Sequence, residues 1–277
     1  MRKIRVIVNG LPGKMAWAVA TAIVNSEDME LVPRGLTGPE TKLKHIVVAS
    51  TEIDLFGPDE RDYLLISSTD IVVDFSLPAA INQNVDFYIK KKLPFVMGTT
   101  GGNFAYIKGE VLKEKSINAV VAPNMAKEVV ALQAMLEFAA TNFPGAFSAL
   151  ELKVVESHQR TKVDTSGTAK ALVKCFNDLG VDFSADQIEK QRTTNNYEAM
   201  EIPREYWDGH GWHTYSLQKP DGTVFLEFKH NINGREPYIC GTLDALRFLA
   251  KIQERQLSNG VTYTMIEVLK GKGHCYM

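Results

Sequence analysis

The chain has 277 residues, and its 31 Lys+Arg against 33 Asp+Glu give a formal net charge of -2, a balance that excludes the basic surface of a nucleic-acid binder and the acidic run of a solvating tail. Its length allows one large or two modest domains of roughly 100–200 residues each. Three cysteines, Cys175, Cys240 and Cys275, lie far apart without a C-x-x-C pair, which fits a reducing compartment.

No apolar run reaches the roughly 18 residues that span a bilayer, so no membrane partner is expected. A cytoplasmic protein is expected, or one of the plastid stroma if a transit peptide was removed.

Ile4 to Val8 is a short β-branched run, followed by Asn9-Gly10-Leu11-Pro12-Gly13-Lys14-Met15 and an Ala/Val/Ile-rich segment from Ala16 to Val24. This reads as strand, glycine turn, helix: Gly10 makes the tight turn, Pro12 suits the first helical position, and Gly13 lets backbone approach a phosphate. The spacing is G-x-x-G, weaker than the full dinucleotide fingerprint, but it stands at the start of an alternating βα pattern.

A second strand is expected over Met29 to Leu36, ending in Leu36-Thr37-Gly38 without the acid that usually holds the ribose 2′-hydroxyl of NAD. Thr37 is then a donor to a 2′-phosphate, with Lys42 and Lys44 nearby, which favours NADPH over NADH. Ile46 to Ala49 and the loop through Phe56-Gly57-Pro58 read as structural.

Ile71-Val72-Val73-Asp74-Phe75-Ser76 reads as a buried strand in the parallel-sheet style, an unbroken apolar run and not an alternation, whose end carries Phe75-Ser76. Pro78 opens a helix carrying Ile81, Val85, Tyr88 and Ile89. Phe95 to Met97 leads into Gly98-Thr99-Thr100-Gly101, and Ala119 to Val121 into Ala122-Pro123-Asn124-Met125. Ligands of open α/β sheets bind at the carboxyl ends of the strands, so these turns are expected to line one crevice with Gly10. A helix through Leu132, Leu136 and Ala139 follows.

The stretch from Glu151 to Leu179 is the densest in chemistry. It starts as a strand with Leu150, Leu152 and Val154 alternating, and ends as a helix with Leu172, Cys175, Phe176 and Leu179 on one face. Between them His158, Arg160 and Lys162 crowd a loop that closes on Ser166-Gly167-Thr168, where the helix starts. A helix N-terminus preceded by small residues favours a carboxylate or phosphate, while the ammonium and imidazole add charge and a movable proton. Arg160 and Lys162 would balance the carboxylates of a dianionic ligand.

Strands are then expected over Trp212 to Leu217, Val224 to His230 and Pro237 to Gly241, joined by turns such as Asp221-Gly222 and Asn233-Gly234. A last long helix carries Leu243, Leu246, Leu249 and Ile252, and Val261 to Leu269 would return to the first domain. His213, His230 and the turn-flanking Arg235 read first as structural, and His210-x-x-His213 lacks companion ligands for zinc, so no metal is expected.

The run E-S-H-Q-R-T-K-V-D-T-S-G-T-A from Glu156 to Ala169 closely resembles the signature loop of the dihydrodipicolinate reductase family. G-L-P-G-K-M at Gly10 to Met15, G-T-T-G at Gly98 to Gly101 and A-P-N-M at Ala122 to Met125 stand in the family's order, so the resemblance covers essentially the whole chain. The common bacterial form has two adjacent histidines where this chain has His158-Gln159. It also has one more residue before the Ser-Gly-Thr turn. Both departures resemble the plant-type branch, as does Gly209 to Tyr215.

The resemblance implies reduction of 4-hydroxy-tetrahydrodipicolinate in lysine (diaminopimelate) biosynthesis. His158 would be proton donor or acceptor and Lys162 proton donor. Ser166, Gly167 and Thr168 would hold a substrate carboxylate, with Gln159 in the place of the usual second histidine. Gly10, Leu11, Pro12, Gly13, Lys14 and Met15, the Gly98-Thr99-Thr100 turn, and Ala122, Pro123, Asn124 and Met125 would hold the dinucleotide.

The expected architecture is α/β. A Rossmann-like dinucleotide-binding domain comprises residues 1–125 and 242–277. A second α+β substrate and oligomerisation domain on a mixed sheet comprises 126–241. The cleft between them is expected to close on the cofactor, and a homodimer or homotetramer is expected from the second sheet. Two rivals stand beside this reading. A semialdehyde-type dehydrogenase needs a nucleophilic cysteine at a strand-end turn, and none is placed there. A non-catalytic dinucleotide sensor would tolerate loss of His158 and Lys162, which are both present.

Overall fold

The structure is a computed structural model that describes residues 2–256 and 259–271; Cys275 lies outside the described residues. The chain forms two compact units, Met1–Lys127 with Tyr238–Met277, and Glu128–Pro237.

The first unit opens with β1 (Ile4–Asn9), whose Val6, Ile7 and Val8 are fully buried, and α1 (Lys14–Val24). Pro12 precedes this helix instead of occupying its first position; Gly13 is the N-cap. The expected second strand is two, β2 (Met29–Leu31) and β3 (Arg34–Leu36). Both lie beside β1, and Pro33, which has no N–H to give a ladder, stands at the break between them.

The hairpin β4 (His45–Val48) and β5 (Thr51–Phe56) follows, with β5 parallel to β3. β5 was not foreseen, although Ile53 and Leu55 are buried between exposed Glu52 and Asp54. β6 (Asp70–Asp74) is buried throughout, and α2 (Ile81–Lys90) starts after a short turn opened by Pro78. β7 (Phe95–Met97) precedes α3 (Phe104–Glu114), also unforeseen, which buries Ile107 and Val111 and is capped by the Asn103 side chain. β8 (Ala119–Val121) ends this segment.

The second unit begins with α4 (Lys127–Asn142), then β9 (Glu151–His158) and α5 (Gly167–Asp178), capped by Ser166 as expected. β10 (Glu189–Gln191), α6 (Thr194–Ala199), β11 (His210–Gln218) and β12 (Phe225–Asn233) complete it. Its sheet has the order β10-β9-β11-β12. β10 is parallel to β9 and the other pairs are antiparallel. Leu172, Cys175 and Phe176 of α5 and its C-cap Leu179 bury in one cluster with Val154, Tyr215 and Leu217 of the sheet.

α7 (Glu236–Arg255) corrects the strand expected over Pro237 to Gly241. The apolar Tyr-Ile-Cys run is the first turn of a helix whose Ile239, Thr242, Ala245, Leu246, Leu249 and Ile252 share a buried face. Gly241 is required there: a Cβ would stand 1.9 Å from the Met125 carbonyl oxygen. β13 (Thr262–Tyr263) then pairs with β8, and α8 (Met265–Leu269) follows, returning to the first unit as expected.

The large sheet has the order β13-β8-β7-β6-β1-β3-β5-β4, with β2 on β1. The last residues of its parallel strands align in register: Leu36 opposite Asn9, Asn9 opposite Asp74, Asp74 opposite Met97, Met97 opposite Val121. The turns that leave these strands therefore start from one edge. Among the described residues no helix is long and apolar enough to cross a membrane.

Candidate active site

The register line places the glycine turn, Phe75-Ser76, Gly98-Thr99 and Ala122 side by side at the carboxyl edge of the sheet. Gly10 has φ +99°, and a Cβ on it would lie 2.6 Å from the Phe75 carbonyl oxygen. A Cβ on Gly98 would strike the Phe75 ring. Glycine at both positions is what lets adjacent turns touch. α1 has no side chain capping its first turn and no acid in it, and Lys14 is exposed beside it. That leaves a positive helix end bounded by backbone.

Behind the turns lies a buried polar knot. Asp74 is fully buried, and one carboxylate oxygen accepts from Tyr88 Oη (2.6 Å), Asn84 Nδ2 (3.0 Å) and Asn9 Nδ2 (3.1 Å). The other accepts from the Ser76 N–H at 2.8 Å and the Thr99 hydroxyl at 3.3 Å. Asn84 in turn accepts from buried Arg61 at 2.6 Å. Burial foremost, and then the Asp74 charge, holds the Tyr88 phenol well above its ordinary pKa, so it remains a donor.

Thr37 does not stand where it was expected to act. Its side chain is buried and its hydroxyl donates to the Leu11 carbonyl at 2.6 Å, so it pins the glycine turn to the end of β3 instead of facing a 2′-phosphate. Beside it opens a cavity of about 230 Å³ lined by Thr37, Gly38, Lys44, Leu55 and Glu60 among others. The Glu40 carboxylate lies against Gly38. Leu11 and Met125 are buried too, whereas Pro12, Gly13, Lys14, Thr100 and Pro123 are exposed.

In the second unit, β9 delivers Glu156 and His158 to one face and α5 receives the loop after them. Glu156 is fully buried and paired with Arg192; its other oxygen accepts the Ser166 N–H at 3.0 Å. Arg192 also donates through Nε to the Lys162 carbonyl at 2.9 Å and through Nη1 to the Glu156 carbonyl at 3.1 Å. One ion pair thus ties down both ends of the loop. Lys162 is half-buried, with its ammonium 2.8 Å from Asp164. Its N–H closes a turn on the Gln159 carbonyl at 2.9 Å. Arg160 is exposed. Ser166 is buried as the cap of α5, its Oγ accepting from the Ala169 N–H at 3.4 Å. Exposed Gly167 has open space where a Cβ would stand, and Thr168 follows in the first turn.

His158 sits among other imidazoles. Its Nδ1 lies 3.1 Å from the His210 carbonyl oxygen and its Nε2 3.0 Å from His213 Nε2. Burial, reinforced by the charges of Arg192 and Lys162, pushes its pKa down to about 3. Burial likewise takes His213 well below the ordinary range, helped by His230 and His158. His158 is therefore a neutral imidazole in the field of the Lys162 and Arg192 charges. Glu156, His158 and His213 bring ligand-type atoms within 4.8 Å of one another, but the Arg192 guanidinium already holds the carboxylate.

The sequence reading missed Glu156, Arg192 and Tyr215 beside this loop, and it weighed His213 but gave it a structural reading. The signal for Glu156 was present: it shares the inward face of β9 with Leu152 and Val154, and a buried acid requires a partner. Arg192 lies 36 residues further on in sequence, and only the β9–β10 pairing brings it there.

The parallel sheet with a glycine turn at its carboxyl edge has the form of a dinucleotide-binding unit, and the second unit carries a histidine and a lysine on one loop. The family described as dihydrodipicolinate reductase matches this chain twice, its N-terminus over residues 4–125 and its C-terminus over 128–269. The chain belongs to the dihydrodipicolinate reductase family.

Among its relatives, 4-hydroxy-tetrahydrodipicolinate reductase 1, chloroplastic, of Arabidopsis thaliana is 43% identical over 273 residues, covering 96% of this chain and 78% of the relative. The reductase of Desulfitobacterium hafniense is 29% identical over 277 residues, covering 94% and 96%. This ordering agrees with the plant-type features of the loop. Among solved structures, dipicolinate-bound dihydrodipicolinate reductase from Paenisporosarcina sp. TG-14 has the same fold, with a TM-score of 0.60 at 16% identity over 96% of this chain and 99% of that one. The semialdehyde-type rival lacks its nucleophile among the described residues. The Cys175 thiol is raised to about 11 by burial, and exposed Cys240 stands in the first turn of helix α7, not at the end of a strand.

Proposed function

We propose that this chain reduces 4-hydroxy-tetrahydrodipicolinate to tetrahydrodipicolinate with a nicotinamide dinucleotide, a step of lysine (diaminopimelate) biosynthesis. The observation that carries the reading is the Arg192-pinned loop with neutral His158 and Lys162, in a chain of this family. The dinucleotide supplies the hydride when bound. Gly10, Gly13 and the uncapped start of α1 fit its pyrophosphate, with Phe75, Ser76, Gly98, Thr99, Thr100, Ala122, Pro123 and Asn124 bordering the same edge.

On the substrate side, Gly167 and Thr168 at the start of α5 bind a carboxylate, and Arg160 and Gln159 border it. Charge left on the substrate by hydride addition is neutralised by the proton that Lys162 releases from Nζ, while uncharged His158 orients the ring. Asp164 shares that ammonium in the free protein, so substrate binding exchanges one anion for another.

NADPH is the favoured reductant and NADH is also accepted. Lys44 beside Gly38 offers a cation to a 2′-phosphate, and Glu40 against Gly38 offers an acceptor to a free 2′-hydroxyl. A homodimer or homotetramer is supported by β12, an edge strand that leaves Phe225 58% exposed.

Lys162→Ala tests the assignment. Turnover should fall about 10²- to 10⁴-fold while NADPH affinity, followed by fluorescence titration, stays within a factor of two or so. A dinucleotide sensor would show no turnover to lose.

A further inference from the structure

The His158 ring is held by more than its own strand, and the atoms fix where its protons are. The His210 carbonyl oxygen can only accept, so His158 Nδ1, 3.1 Å away, carries a hydrogen. In a neutral ring Nε2 then has the lone pair, and His213 Nε2, 3.0 Å away, must donate to it. That leaves His213 Nδ1 as an acceptor, and Tyr215 Oη stands 3.0 Å from it. Tyr215 is fully buried, and burial foremost, then the Glu156 charge, raises its phenol, so it stays a donor. The chain Tyr215 O–H, His213 N–H, His158 N–H, His210 carbonyl has one consistent direction.

We propose that His213, oriented by Tyr215, is a positioning residue that fixes His158 as the neutral Nδ1–H tautomer with its Nε2 lone pair directed at His213 on β11. This rests on the reductase reading above for its catalytic meaning. A hydrogen bond donated to Nε2 favours the uncharged ring. Both ring nitrogens of His158 are then committed, Nδ1–H to the His210 carbonyl and Nε2 to His213, so the ring is held neutral and fixed beside its loop while the proton comes from Lys162. The groups that bear on His158 are Arg192 from the end of β10, Lys162 and Asp164 from its own loop, Glu156 from β9, and His210 and His213 from β11, with the His230 ring of β12 tilted against His213 at 4.6 Å between centroids. Of these only His213 touches Nε2.

The test uses the full chain labelled with ¹⁵N in histidine, read by NMR of the ring nitrogens without substrate, beside the reductase assay. Wild type should show His158 protonated at Nδ1 and not titrating between pH 5 and 8 or so. His213→Leu removes the donor, and the His158 pKa should rise by about one unit or more, with kcat falling about tenfold and gaining an acid limb. His213→Gln keeps an amide that can donate to His158 and accept from Tyr215, and should restore the tautomer and most of kcat.

An Nε2–H tautomer in wild type, or a His158 pKa and pH profile unchanged in folded His213→Leu, would overturn the inference while leaving the reductase reading intact. If His213→Leu does not fold, Tyr215→Phe carries the same reading: the His213 tautomer should become mixed, and an unmixed one overturns the proposal. Wild-type protein that does not oxidise NADPH would overturn the reductase reading, and the catalytic role of His213 with it.

Discussion

Arg192 and Glu156 form an ion pair whose acid is fully buried and whose base is 15% exposed, and this pair holds both the Lys162 carbonyl and the Ser166 N–H. The reactive loop and the cap of α5 are thus one mechanical unit. Removing a single partner strands a buried charge, which costs about 3–5 kcal/mol. Arg192→Met should lose stability on that scale in urea unfolding and abolish turnover, while Arg192→Met with Glu156→Gln should recover a good part of the stability and none of the turnover.

The Asp74 knot makes a similar argument at the dinucleotide edge. Tyr88→Phe deletes the 2.6 Å donor to Asp74 and the acceptor for Asn9 Nδ2 at the same distance. An unmade buried hydrogen bond costs about 1–3 kcal/mol. Because Ser76 and Thr99 hang on the other oxygen of Asp74, KM for the dinucleotide should rise along with that loss. Unchanged KM in a destabilised variant would separate the knot from the site.

Acid should weaken the fold through its buried imidazoles. His158 is lowered to about 3 and His230 to about 4, both by burial foremost. Below the ordinary value of 6.5 the unfolded chain takes up protons that the folded chain refuses, so stability falls as pH drops from 6.5 toward 4. The slope is about 1.4 kcal/mol per pH unit for each fully shifted group. Both His230 ring nitrogens are buried without a hydrogen-bond partner among the described residues, so His230→Phe should flatten the dependence of unfolding free energy on pH between 6.5 and 4.

Cofactor choice turns on Lys44 and Glu40. Lys44→Ala should lower kcat/KM with NADPH about tenfold, the worth of one charge-assisted contact, and leave NADH nearly unchanged. Glu40→Ala should do the reverse. Equal losses with both dinucleotides would place the 2′ position elsewhere.

Much of this was legible in the chain itself. Unbroken apolar runs such as Ile71 to Val73 and small-residue turns such as Gly98-Thr99 are local signals, and the register of the parallel sheet lines them up as their order suggests. His158, Lys162 and the Ser166 cap stand in a contiguous motif, which made the loop readable before its geometry was known. The failures have physical causes too. Thr37 carried a hydroxyl in the right place, but no local pattern shows that Leu11 presents its carbonyl to it. Tyr-Ile-Cys at the start of α7 has strand-like composition, and only its continuation into Ala245 and Leu249 shows the helical period. Glu156 with Arg192, and His213 with His158, pair across strands, where sequence distance conceals contact.

The most direct measurement is loss of nicotinamide absorbance when the purified protein meets freshly generated 4-hydroxy-tetrahydrodipicolinate, with NADPH and NADH run side by side. Rapid oxidation with NADPH, and slower oxidation with NADH, is the expected result. Measurable binding of both dinucleotides with oxidation of neither would contradict the reductase assignment and leave the fold as that of a dinucleotide sensor.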